Sequence, residues 1–161
     1  MSSLRIGYGE DIHRLQEGGR FVLAGTEITT AFSPVAHSDG DCYYHALADA
    51  ILGAIGGEDI GHHFPPEEKK TAGMDSSLIV RKAMELAKEA GFAVVNLDSY
   101  ILLERPKIGS FIITMKEHVA SLLGISASEV AIKAGTNEGL GPIGEGKAVK
   151  CVCTILLERN C

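Results

Sequence analysis

From Ala148 to Glu158 the odd-numbered residues Val149, Cys151, Cys153, Ile155 and Leu157 form an unbroken apolar series. A period of two places all five on one side of a β-strand, where a helix would scatter them around its axis. The chain must therefore build a sheet with one face pressed on a core. Leu4, Ile6 and Tyr8 alternate in the same way and predict a short strand running into the polar turn Glu10-Asp11-Ile12-His13. Residues 93–104 and 129–134 read as further strands.

Three segments carry the helical period instead. Tyr44, Leu47, Ala48, Ile51 and Ile55 share one face of a helix over Asp41–Ile55, which Gly56-Gly57 ends. Ile79, Ala83, Leu86, Ala87 and Ala90 mark a second, with Asp75 and Ser76 as capping candidates and Gly91 as its stop. Ile112, Met115, Val119 and Leu122 mark a third, from about Ser110 to Leu123, before Gly124. Strands and helices in this order predict an α/β (α+β) fold: a single mixed β-sheet backed by helices on one face. The other sheet face is left to pack against copies of itself.

A chain of 161 residues fits a single domain, 1–161, with no fixed-period repeat. The net charge of −6 argues against nucleic acid and anionic lipid as partners. No apolar run is long enough for a spanning helix, no secretory segment is evident, and a soluble, cytoplasmic protein with reduced thiols is expected. Cys151 and Cys153, two apart in an apolar strand, read as small hydrophobes on one face.

Ionisable residues cluster in three places. Asp11 and His13, separated by one residue, point the same way in extended backbone. His45 lies within the first helix, in an i, i+4, i+8 line with Asp41 and Asp49. A carboxylate and two imidazoles suit zinc or a similar divalent cation and leave a position open for substrate. Asp49, one turn on, is placed to accept the second ring N–H of His45. The bland alternative is a turn at Asp11-x-His13 and a solvated helix face, and Ser38-x-x-Asp41 also fits a capping box. His37-Ser38-Asp39-Gly40 precedes the helix and presents its amides to an anion. Lys133-Ala134-Gly135-Thr136-Asn137-Glu138-Gly139-Leu140-Gly141 leads from a strand into a Gly-rich turn that can approach phosphate. His62-His63 reads as a pair of exposed loop histidines.

Taken together, Arg5-Ile6-Gly7-x-Gly9-x-Asp11-x-His13-Arg14, Ala36-His37-Ser38-Asp39-Gly40-Asp41-x-x-x-His45-Ala46-Leu47-x-Asp49-Ala50 and Asp59-Ile60-Gly61-x-x-Phe64-Pro65 resemble the 2-C-methyl-D-erythritol 2,4-cyclodiphosphate synthase family. Arg105-Pro106-Lys107 and Lys133-Ala134-x-Thr136-x-Glu138-x-Leu140-Gly141 extend the likeness over nearly the whole chain. The resemblance implies a metal-dependent cyclase of the non-mevalonate isoprenoid pathway. In that reaction the 2-phosphate of 4-diphosphocytidyl-2-C-methyl-D-erythritol 2-phosphate attacks the β-phosphorus and expels CMP.

By the same resemblance Asp11, His13 and His45 hold one divalent ion per subunit, commonly zinc; the helix line, not the resemblance, places Asp41 and Asp49 behind them. His37 and Thr136 steady the transition state. Glu138 helps hold a second ion, magnesium or manganese, with the diphosphate. Substrate contacts are implied for Ser38, Asp59, Ile60, Gly61, Phe64 and Glu68. They are also implied for Leu103, Arg105, Pro106, Lys107, Ile108 and Gly109, and for Ala134, Gly135 and Asn137. The family assembles as a homotrimer with sites between subunits. This sequence departs from the family pattern at Glu10, usually Phe, at Pro66-Glu67-Glu68, at Ala72, at Gly135 and in a shorter loop after Gly141. The rival readings are a metal-dependent phosphohydrolase and a non-catalytic trimeric metal-binding protein.

Overall fold

The computed structural model describes residues 3–64 and 72–160. Five strands form the main sheet, in the order β4-β1-β7-β5-β6: β4 Phe32–Pro34, β1 Leu4–Glu17, β7 Ala148–Arg159, β5 Phe92–Leu102 and β6 Val130–Gly135. It is mixed, since β5 and β6 run parallel while β1 and β5 each pair antiparallel with β7. A two-stranded hairpin, β2 Phe21–Leu23 with β3 Thr26–Ile28, lies outside it. The helices are α1 Cys42–Ala54, α2 Ile60–His63, α3 Ser77–Glu89, α4 Ile112–Leu123 and α5 Gly141–Gly144.

The central strand behaves as its alternation requires. Val149, Cys151, Cys153, Ile155 and Leu157 are all fully buried, in one core with Tyr43, Leu47 and Ile51 of α1 and Leu97 and Ile101 of β5. Burial pushes the Cys151 and Cys153 thiols up, so both stay protonated as packing groups. The opposite sheet face is open and apolar in part: Ile6 is 72% exposed, Tyr8 59% and Ile12 54%.

One expectation needs correction. The polar stretch Glu10–His13 is not a turn, because β1 continues to Glu17 and pairs with β7 without interruption from Leu4 to Arg14. Its inward positions after Ile6 are Gly7, Gly9, Asp11 and His13, none of which carries the apolar mark of a buried strand face.

The two glycines serve close packing. A Cβ at Gly7 would lie 1.8 Å from the Ala50 carbonyl oxygen, and one at Gly9 2.1 Å from that of Ala46. Bare backbone on β1 thus meets Ala46, Ala50 and Ala54 of α1, three small residues one turn apart. This close approach carries His45 down against the Asp11 end of the strand.

Asp41, fully buried, sets the start of α1. Its carboxylate accepts N–H bonds from Ala24 (3.0 Å), Gly25 (2.7 Å) and Tyr44 (3.1 Å), joining the hairpin turn to the helix cap. Burial pushes its pKa up to about 6 in spite of those donors. Asp41 is thus the N-cap itself, and Ser38-x-x-Asp41 is not a capping box. Among the described residues no helix is long and apolar enough to cross a membrane.

Candidate active site

Asp11 and His13 project from the inner face of β1, and His45 meets them from α1. His13 Nε2 lies 2.8 Å and His45 Nδ1 3.2 Å from the same oxygen, Asp11 Oδ2. The two imidazoles stand edge to face with centroids 5.3 Å apart. His13 Nδ1 donates to the Gly40 carbonyl at 3.1 Å, so Nε2, which faces Asp11, is the nitrogen that would offer its lone pair to a bound cation. Two imidazole nitrogens therefore face one carboxylate oxygen.

The electrostatics suit a cation. Burial works against the charge on Asp11, but hydrogen bonds from His13 and His45 outweigh it and pull the carboxyl down to about 2. Burial likewise opposes charge on His13, and the Asp11 carboxylate overrides it to raise the imidazole's pKa. This carboxylate faces two ring nitrogens, a place where a divalent ion would interact with it more strongly.

Cys42 was not anticipated at this site. One ligand atom from each of Asp11, His13 and Cys42 lies within 4.8 Å of the others. The Cys42 thiol is fully buried, however, and donates to the Asp11 carbonyl at 3.1 Å, behind the strand and away from the open side. His45 Nδ1, unlike the thiol, faces the carboxylate oxygen that His13 also faces.

His13 and His45 open onto a cavity of ≈ 350 Å³ whose walls include Val35, Ala36, His37, Ser38, Ile60, Gly61, Phe64, Met74 and Ile79. His37 and Ser38 come from the loop before α1, and Ile60 and Gly61 from α2, which is capped by Asp59 through the His62 amide. A second cavity of ≈ 380 Å³, around Arg20, Asp39, Tyr44, Arg81 and His118, holds none of the expected metal ligands or substrate contacts. Chemistry, not size, selects the first. Glu68 and Pro66-Glu67-Glu68 as a whole lie outside the described residues.

The expected partner of His45 is also corrected. Asp49 gives its carboxylate to the Ile60 amide at 2.9 Å, because the first turn of α2 lies over that side of α1. The second ring nitrogen, Nε2, instead meets Ser76 Oγ at 3.1 Å and Ser38 Oγ at 3.3 Å. Asp41, as described, holds backbone amides and no ligand side chain.

The remaining predicted residues form a separate group at the far side of the sheet. Leu103 to Gly109 follow β5, with a cis Arg105-Pro106 bond, and Thr136 to Glu138 follow β6. The two loops are joined by Leu103 N–H to the Gly135 carbonyl (3.0 Å) and Asn137 N–H to Glu104 Oε2 (3.1 Å). Leu103 and Ile108 are buried anchors, whereas Lys107, Thr136 and Glu138 are exposed. Glu138 has φ 52, and Thr136 Oγ1 accepts its N–H at 3.3 Å. Arg105 turns toward the Phe32 ring. In register, Cys151 pairs with Asp11 on one side and Ile101 on the other, and Ile101 pairs with Ala134. Three strand spacings, about 14 Å, therefore separate the Asp11 line from the Ala134 line at the same end of the sheet.

Residues 4–158 match the YgbB family along almost the entire chain. The chain belongs to the YgbB family. A curated relative, the 2-C-methyl-D-erythritol 2,4-cyclodiphosphate synthase of Gloeobacter violaceus, is 43% identical over 97% of this chain and 96% of its own. Among solved structures, the Plasmodium falciparum IspF in complex with CDP superposes with a TM-score of 0.88 at 33% identity, covering 100% of this chain and 99% of that one. A CDP-bound form of a 2C-methyl-D-erythritol-2,4-cyclodiphosphate synthase does so with a TM-score of 0.89 at 35% identity, covering 96% and 100%. The fold is therefore shared along almost the whole chain.

Proposed function

We propose that this chain converts 4-diphosphocytidyl-2-C-methyl-D-erythritol 2-phosphate into 2-C-methyl-D-erythritol 2,4-cyclodiphosphate and CMP. It acts as a cytoplasmic, metal-dependent cyclising lyase of the non-mevalonate isoprenoid pathway, folded as a single domain. The observation that carries the reading is the convergence of Asp11 Oδ2, His13 Nε2 and His45 Nδ1 at the wall of a cavity that His37 and Ser38 also line.

That donor set fits a borderline divalent cation such as zinc, with distances short enough for one ion to replace the contacts between the three side chains. A cation bound there withdraws charge from the diphosphate oxygens and so makes the β-phosphorus more open to attack. His37 and Ser38 offer donors to the phosphate oxygens where negative charge builds. The substrate's own 2-phosphate oxygen forms the new bond to the β-phosphorus, and the bond to the CMP phosphate breaks, so no water enters the product. Ile60, Gly61 and Phe64 line the cavity, and Asp59, which caps their helix, would meet the ribose hydroxyls.

The Leu103–Gly109 and Ala134–Glu138 loops complete the site on a neighbouring copy. They would receive the cytidine through main-chain groups and Lys107, and Glu138 would hold a second ion, magnesium or manganese, against the phosphates. Support for this arrangement comes from the wide lateral gap between the two groups in one chain and from the open, partly apolar sheet face bearing Ile6, Tyr8 and Ile12. A homotrimer closed by threefold symmetry satisfies both.

The test is to incubate the purified protein with the cytidyl diphosphate substrate and divalent metal and to follow phosphorus NMR. Cyclic diphosphate with CMP is expected. Linear phosphates would establish a phosphohydrolase, and unchanged substrate would leave a non-catalytic metal-binding protein.

A further inference from the structure

Ser76 occupies the N-cap position of α3, yet its side chain makes no cap hydrogen bond. Serine is favoured at such positions because its oxygen ordinarily accepts from the helix amides. Here the hydroxyl is fully buried and turned elsewhere: Oγ lies 2.5 Å from Asp39 Oδ1 and 3.1 Å from His45 Nε2. The Ser76 amide donates to the other Asp39 oxygen at 3.1 Å, and the Asp41 amide donates to Asp39 Oδ1 at 3.0 Å. Asp39 is thus clamped from both sides.

The proton positions follow from donor and acceptor counting. A carboxylate only accepts, so the Ser76 hydroxyl proton points to Asp39. The Oγ lone pair left over faces His45 Nε2 and favours the ring proton there, with Ser38 Oγ as a second neighbour 3.4 Å from Ser76 Oγ. With Nε2 held in this way, His45 Nδ1 is the nitrogen left to give its lone pair to a cation, once the ion replaces the contact with Asp11 Oδ2. Without this arrangement the Asp11 carboxylate, 3.2 Å from Nδ1, would draw the ring proton to the ligating nitrogen. Ser38 Oγ, 3.3 Å from Nε2, accepts from the Gly40 amide and is the weaker partner.

We propose that Ser76 and Asp39 are positioning residues which lock His45 in the tautomer and orientation that ligates the cation. The inference rests on the metal reading above and goes beyond it, because neither residue touches the cation or the substrate. It also links α3 to the metal centre, so that docking of this helix and readiness of the ligand are one event.

The experiment compares wild type, Ser76→Ala, Ser76→Thr and Ser38→Ala by zinc competition with a chelator and by imidazole nitrogen-15 NMR. Ser76→Ala should weaken zinc binding by roughly 10–100-fold, the usual cost of losing a hydrogen bond behind a metal-bound histidine. It should also speed solvent exchange of the His45 Nε2 proton, while Ser76→Thr, which keeps the hydroxyl, restores most of both. Ser38→Ala should leave zinc affinity near that of wild type. Unchanged zinc affinity in Ser76→Ala, or the loss appearing in Ser38→Ala instead, overturns the proposal. Should Ser76→Ala fail to fold, the ring spectrum of zinc-loaded wild type at pH 8 still decides, since a proton on Nδ1, or a freely exchanging proton on Nε2, refutes it. A wild type that takes up no zinc would sink the metal reading instead, and the metal-free ring spectrum would still judge the Ser76 contact.

Discussion

Gly9 of β1 lies beneath Ala46 of α1 so closely that a Cβ on the glycine would come within 2.1 Å of the Ala46 carbonyl oxygen. Backbone cannot yield as a flexible side chain does, so Gly9→Ala must push the helix off the strand. We expect a loss of about 3 kcal/mol, the upper part of the usual overpacking range. Because His45 is the residue before Ala46, zinc affinity should fall along with stability. Chemical denaturation and zinc titration of the same sample check this, and a variant with wild-type values in both would show that the contact relaxes freely.

His45→Ala removes one of the three proposed ligands, and its ring, 14% exposed, is not a member of the apolar core. Zinc affinity should drop further than the roughly 10–100-fold that follows loss of a supporting hydrogen bond. Activity should disappear with it. Cys42→Ser provides the contrast: its thiol faces the strand carbonyls, so zinc content should stay near that of wild type. Metal analysis after dialysis distinguishes the two, and an undiminished zinc content in His45→Ala would transfer the ligand role to Cys42.

How much of this could be read from sequence depended on whether a residue's role is local. β7 and the three long helices were legible because burial imprints a period of two or 3.6 on apolar residues. β1 was legible only to Tyr8, since beyond it the inward positions are Gly9, Asp11 and His13, selected for close approach and for chemistry. The three-residue strands β2, β3 and β4 are too short to show a period. Asp11, His13 and His45 were recognisable through spacing and family likeness together. Ser76 was not, because the string Asp75-Ser76 before a helix reads as a cap, and only the folded chain diverts its hydroxyl to a histidine 31 positions earlier.

The metal-free protein should show a bounded pH range of greatest stability. The folded pKa of Asp11, about 2, lies below its ordinary 3.8, so its contribution is present above 3.8 and lost as pH falls through about 2. The folded pKa of His13 is raised above 6.5, so its contribution is present below 6.5 and lost as pH rises through the folded value. The pair therefore stabilises most between 3.8 and 6.5. Bound zinc requires neutral His13, so zinc affinity should rise over the same interval in which the metal-free protein weakens. Thermal melts of metal-free wild type and His13→Gln from pH 4 to 9 test this. Parallel curves above pH 6.5 would show that the pair contributes nothing.

A site divided between copies makes a quantitative prediction for mixtures. His45→Ala disables the metal side of a subunit and Thr136→Ala the loop side, so each homotrimer should be nearly inactive. When the two proteins are unfolded, mixed in equal amounts and refolded together, chance pairs an intact metal side with an intact loop side at about one site in four. Activity near a quarter of wild type should therefore return. Mixing without subunit exchange should return none, because each trimer then keeps a single defect. If instead each chain carried a complete site, no refolded mixture could exceed the mean of its two inactive parents. The roughly 14 Å between the Asp11 and Ala134 lines would then have to be bridged within one subunit by substrate alone.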